Sequence, residues 1–109
     1  MAITAYLDLD QGSDFSIVME LENDNSTPMN LSGFSVYSQF RKSYGSTVAH
    51  SFNAVVLNAS QGTIKLSLSG IASSSIKPGR YLYDVEVTSD GVVSRIAEGI
   101  VTVTPQVTR

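Results

Sequence analysis

Asp14-Phe15-Ser16-Ile17-Val18-Met19-Glu20-Leu21 sets Phe15, Ile17, Met19 and Leu21 on one side and Asp14, Ser16, Val18 and Glu20 on the other. Successive side chains of a β-strand face opposite sides of a sheet, so this octet reads as a strand with one face on a core. Toward the N-terminus, Ala5, Leu7 and Leu9 alternate with Tyr6, Asp8 and Asp10, and Gln11-Gly12-Ser13 turns the chain. Toward the C-terminus, Glu22-Asn23-Asp24-Asn25-Ser26-Thr27-Pro28 is a polar turn segment. Asn, Asp and Ser can bond their own backbone there, and Pro fixes a dihedral.

The same period continues. Leu31-Ser32-Gly33 leads into Phe34, Val36, Ser38 and Phe40, residues 41–47 form a polar loop, and residues 48–57 form a less regular strand. After a turn at 58–62, Ile64, Leu66 and Leu68 alternate with Thr63, Lys65 and Ser67. Residues 69–76 are Ser-rich and predict one helical turn, with Ile71 and Ile76 covering an end of the core. Pro78-Gly79 turns into Tyr81, Tyr83, Val85 and Val87. Asp90-Gly91 between two alternating runs is a strong hairpin signal. The last strand spans 92–103, with a β-bulge expected near Glu98-Gly99, and Pro105 ends it. Short strands at this spacing predict an all-β, immunoglobulin-like antiparallel two-sheet sandwich of seven or eight strands. Ile76, Gly79 and Tyr81 fit the corner of such folds, where a Tyr hydroxyl bonds back to the preceding turn; they fit equally a plain core aromatic.

The chain has 109 residues, which suits one domain over 1–109. Hydrophobic residues make up 42% and charged residues 16%, which excludes a disordered tail and leaves a surface rich in Ser, Thr, Asn and Gln. There is no Cys, so neither a disulfide nor a thiol nucleophile is available. Residues 1–8 lack a basic segment followed by an apolar run, so no signal peptide is expected, and no stretch approaches the roughly 20 apolar residues of a membrane span. Asp8, Asp10, Asp14, Glu20, Glu22 and Asp24 precede any Lys or Arg, and the bases begin at Arg41. A nucleic-acid face needs clustered positive charge, so that partner is not expected. The asymmetry serves solubility, or charge-complementary contact with a neighbouring subunit.

No enzyme site is expected. His50 is the one histidine, in a strand without a neighbouring acid, and it reads as a structural or surface residue. Asp8 with Asp10, and Asp84 with Glu86, share strand faces; such pairs serve glycoside hydrolysis in other settings, but on an exposed strand they are ordinary solubilising residues. Asn23, Asp24 and Asn25 offer oxygen ligands without the spacing of an EF-hand, so no metal and no cofactor is expected. A carbohydrate-binding module would need Tyr6, Tyr37 and Tyr44 in an exposed stripe, and a glycan is not the favoured partner.

Two stretches resemble a known family. The first holds Gly12, Asp14, Phe15, the turn from Asp24 to Thr27, then Asn30-Leu31-Ser32-Gly33-Phe34 and Gln39-Phe40-Arg41. The second holds Gly79-Arg80-Tyr81-Leu82-Tyr83-Asp84-Val85, Asp90-Gly91 and Arg95-Ile96-Ala97-Glu98-Gly99. Together, over residues 12–103, they resemble the Ig-like domain of tailed-phage baseplate and tail proteins, including the N-terminal domain of upper baseplate proteins. The resemblance implies fold positions at Gly12, Phe15, Gly33, Phe34, Gly79, Tyr81, Tyr83, Gly91 and Gly99. It implies a virion structural protein made in the host cytoplasm, a homo-oligomer in contact with other virion proteins. Such domains usually belong to longer chains; here the module nearly fills the sequence, which favours an adaptor, decoration or accessory subunit over a receptor-binding one.

Overall fold

The computed structural model describes residues 3–23 and 27–108. Met1, Ala2 and Arg109, and Asp24, Asn25 and Ser26 of the expected polar turn, lie outside the described residues. Two sheets pack face to face. The larger is built from β1 (Ile3–Thr4), β2 (Leu7–Asp10), β4 (Ser35–Arg41), β5 (His50–Ser51), β8 (Gly79–Ser89) and β9 (Val92–Thr104), in the order β1-β9-β8-β4-β5, with β2 also on β9. The smaller runs β3 (Phe15–Glu20), β7 (Thr63–Leu68), β6 (Asn53–Asn58). This is an all-β, immunoglobulin-like sandwich. β1 and β2 are one edge strand interrupted at residues 5 and 6, so the nine described segments make eight strands.

The alternating sets supply the core as the sequence predicts. Leu7, Leu9, Met19, Leu21, Val36, Phe40, Ile64, Leu66, Tyr81, Tyr83, Val85 and Val87 are all buried. Residues 48–57 do not form one strand. β5 pairs with β4, then the chain crosses to the smaller sheet as β6, and the crossing residue is Phe52. Its backbone N–H donates to the Ser38 carbonyl at 3.0 Å. Its ring lies 4.8 Å from Phe40 and 6.5 Å from Tyr83 on one sheet and 5.7 Å from Phe15 on the other. Burying one such side chain contributes about 1.5–3 kcal/mol, so Phe52 fastens the two layers.

The first and last strands are not antiparallel: β1 and β2 run parallel to β9, with Leu7 opposite Val101 and Asp10 opposite Thr104. The bulge is not at Glu98-Gly99. The β8–β9 register shifts between Val85, opposite Ala97, and Glu86, opposite Arg95, so Ile96 is the extra residue. Gly99 answers a different need: a Cβ there would overlap the Ala5 carbonyl oxygen, which is how a strand glycine lets another backbone come close.

The hairpin at Asp90-Gly91 has positive φ at both residues, 51° and 79°, as a two-residue I′ turn requires. The helical turn is α1 (Gly70–Ser74). Ser69 caps it by accepting from the Ala72 N–H at 3.1 Å, and Asp14 accepts from the Gly70 N–H at 2.6 Å. Ile76 is buried there as expected, but Ile71 points to solvent. The buried residue of α1 is instead Ser73. Its hydroxyl accepts from the Gly12 N–H and lies within hydrogen-bond distance of the Ser13 and Gly70 carbonyls.

Candidate binding face on the larger sheet

Tyr81 is the third residue of β8, just after the Pro78-Gly79 turn; it is buried, and its hydroxyl donates to the Lys77 carbonyl at 2.6 Å. That bond is the tyrosine corner of an immunoglobulin-like sandwich. The ring meets Phe40 edge-on at 5.4 Å, and the Lys42 ammonium sits 4.8 Å from its centroid. His50 packs in the same cluster, 5.2 Å from Phe40 and 5.8 Å from Tyr81. Two residues beyond Tyr81 along the same strand, the Tyr83 hydroxyl donates to the Ala5 carbonyl at 2.9 Å. Burial raises the pKa of Tyr81 and pushes that of Tyr83 up to about 12, because an apolar surrounding disfavours the phenolate.

The opposite face of the same strands looks out to solvent, and register lays its side chains in rows. Ile100 lies opposite Leu82, and Leu82 opposite Arg41. The next row is Glu98, Asp84 and Gln39; the one after is Arg95, Glu86 and Tyr37. Tyr6 precedes Leu7, which is paired to Val101, so Tyr6 extends the first row onto a fourth strand. At about 4.8 Å per strand that row is roughly 14 Å wide. It forms part of an open concavity of about 500 Å³, with Tyr6 and Tyr44 both in its lining. These two rings are 75% and 84% exposed, and Tyr37 is 60% exposed beyond the concavity on the same face.

The polar centre is organised around Arg95. Its guanidinium lies 3.2 Å from Glu98 and 3.5 Å from Asp84. The hydrogen bond to Glu98 and the charges of Asp84, Glu98 and Glu86 raise its pKa. Asp84 is therefore paired on an open sheet rather than facing Glu86 across a cleft. The other carboxylate pair differs again: Asp10 accepts from the Thr104 hydroxyl at 2.7 Å on the edge strand. Among the described residues no group of three or more His, Cys, Asp or Glu is placed to hold a metal ion. No described helix is long and apolar enough to cross a membrane.

No family model matches the chain, and no curated protein matches it. Solved structures resemble it. One is InlP of Listeria monocytogenes, 17% identical, with a TM-score of 0.48 over 94% of this chain. Another is a family 123 glycoside hydrolase from Clostridium perfringens, 12% identical, with a TM-score of 0.45 over 98% of this chain. The chain spans 28% and 24% of the lengths of those two proteins.

The nine positions singled out from the sequence divide by layer. Gly12, Gly33 and Gly91 sit in turns, Gly79 opens β8, Phe15 and Phe34 pack against the core, and Tyr81 holds the corner. Tyr83 and Gly99 lie beneath the concavity as well as in the fold. Leu82, Ile100, Arg41 and Gln39 of the outer face carried no signal by themselves, since each is merely an outward-facing member of its strand. Register across four strands assembles them, and a linear reading does not hold register.

Proposed function

We propose that this domain is a non-enzymatic structural subunit of a tailed-phage virion, of the tail or baseplate, that works through contacts with other virion proteins and with copies of itself. The observation that carries the reading is the outer face of the larger sheet. Tyr6, Tyr37 and Tyr44 stand exposed there around the mixed charges of Arg95, Arg41, Asp84, Glu86 and Glu98. Tyrosine and arginine are the side chains enriched where proteins meet, with large apolar area and a polar tip. The resemblance of its sequence motifs to the phage Ig-like domain is what supports the tail or baseplate location. The low charge of the surface supports a module packed among neighbours.

The test is mass spectrometry and antibody labelling of purified particles. Copies of the chain in the particle, with label on the tail, support the reading. Label on the capsid surface moves the domain to a decoration role. A chain absent from particles discards the reading. Full retention of any measured hydrolytic activity in Asp84→Asn and Glu86→Gln variants is the outcome expected of a non-enzyme.

A second reading rests on one observation, that Tyr6 and Tyr44 line the same concavity beside Gln39, Asp84 and Glu98. Exposed rings flanked by hydrogen-bonding side chains can hold a neutral oligosaccharide. A glycan titration followed by NMR checks it: shifts at Tyr6 and Tyr44, abolished in Tyr44→Ala, support it, and an unchanged spectrum rejects it.

A further inference from the structure

Among the described residues, β3 has a strand on one side alone. Phe15, Ile17 and Met19 stand opposite Leu68, Leu66 and Ile64 of β7, and the Leu21 N–H donates to the Gly62 carbonyl at 2.8 Å, continuing the same phase. Backbone groups of a strand point alternately left and right. Residues 15, 17, 19 and 21 therefore turn theirs toward β7, and Ser16, Val18 and Glu20 turn theirs away. β3 ends the order of its sheet, so no described strand receives them. An immunoglobulin sheet carries a further strand at this place. Here the N-terminal strand runs along β9 instead.

Two more features belong to that edge. Phe15 and Ile17 face the core yet stay half-buried, and Val18 is 54% exposed. The strand also lacks the Pro, Lys or bulge with which free edges are usually guarded. The charge beside it has one sign along the strand: Asp14, Glu20 and Glu22 flank it, and the first base in sequence is Arg41. The one base next to it on the sheet is Lys65, opposite Val18 on β7. A second copy is a poor occupant, because antiparallel self-pairing centred on Ile17 sets Asp14 against Glu20, and pairing centred on Val18 sets Asp14 against Glu22.

We infer that the free edge of β3 accepts an extended segment of another protein, in which alternating apolar residues are flanked by Lys or Arg, and which adds to the smaller sheet as a fourth strand. This inference rests on the reading that the domain works by protein contact, and it names the edge and the chemistry of the partner.

The probe is a synthetic peptide alternating Val with Thr and Lys, with Arg at both ends, against a matched peptide with Glu at both ends. Amide hydrogen exchange of the whole chain is followed by NMR. With the basic peptide, exchange at Ser16, Val18 and Glu20 slows at least roughly tenfold while Ile17 and Met19, already bonded to β7, barely change. The acidic peptide has no such effect. Val18→Pro removes an outward N–H and spares the β7 ladder, so it keeps the fold and loses the protection. Should that variant not fold, Val18→Lys, which places like charge at the edge, weakens the basic peptide instead. Protection elsewhere, equal effects of the two peptides, no effect at millimolar peptide, or a dimer by light scattering that Val18→Pro dissolves would each overturn the inference. None of these touches the virion reading, which stands or falls on the particle measurement.

Discussion

Tyr83 and Ala5 are 78 residues apart and joined by one hydrogen bond of 2.9 Å from hydroxyl to carbonyl. The bond falls at the break between β1 and β2, and the Ala5 N–H on the same residue reaches the Glu98 carbonyl at 3.0 Å. Removing the hydroxyl leaves the Ala5 carbonyl without that partner. Tyr83→Phe is expected to cost about 1–2 kcal/mol, read as a lower urea midpoint, with faster exchange of the Ala5 amide.

The two buried tyrosines make the stability of the fold depend on alkaline pH. Tyr83 keeps its proton to about pH 12 in the folded chain, and Tyr81 also holds its proton above the ordinary value of 10.0. The unfolded chain releases those protons first. Between about pH 10 and 12 the folded state therefore binds more protons, and stability falls as pH rises; below pH 10 the contribution is complete. Melting temperature against pH should decline through that window. Tyr83→Phe should flatten the decline, and phenol absorbance should show Tyr83 ionising with unfolding.

Gly99 and Gly45 make a matched pair. A methyl group at Gly99 meets the Ala5 carbonyl, whereas one at Gly45 meets nothing within 4 Å. Gly99→Ala is expected to lose about 1–3 kcal/mol by forcing the edge strand off β9. Gly45→Ala should stay within about 0.5 kcal/mol of the parent. Thermal melts of the two variants check this.

These positions show what a linear reading reaches and where it stops. The period-two sets and the Asp90-Gly91 hairpin are local patterns that stand where the sequence places them, and at Tyr81, which the sequence left between a corner and a core aromatic, the bond to the Lys77 carbonyl makes the corner. The direction of the first strand is a long-range choice, made by Leu7 meeting Val101 at the other end of the chain, and no spacing within residues 5–10 encodes it. Gly99 carried a signal with two physical causes, a bulge or a close approach, and the pattern around it favoured the wrong one. Phe52 looked like one more apolar residue in an irregular strand, because a switch between sheets leaves the same composition behind. The candidate face was the least legible part, since its rows exist through pairing alone.

Ser73 is the clearest residue without a sequence signal. It is a serine among serines, yet it is wholly buried and joins α1 to the turn before β3. Ser73→Ala leaves the Gly12 N–H without its acceptor and is expected to cost about 1–3 kcal/mol. Ser74→Ala, on the exposed side of the same turn, should cost far less. Chemical denaturation of the pair separates them.

The parallel course of β2 beside β9 fixes how the domain carries tension. The chain enters at one end of that ladder, near Ile3, and leaves past Thr104 at the other. Pulling on the two flanks drags the neighbouring strands lengthwise against each other, so their hydrogen bonds are strained together and in shear. Had the strands been antiparallel, the same pull would open the ladder one bond at a time, like a zipper. A pull applied to its two ends therefore loads that ladder in shear, and the Tyr83 clasp on Ala5 lies within the loaded strand.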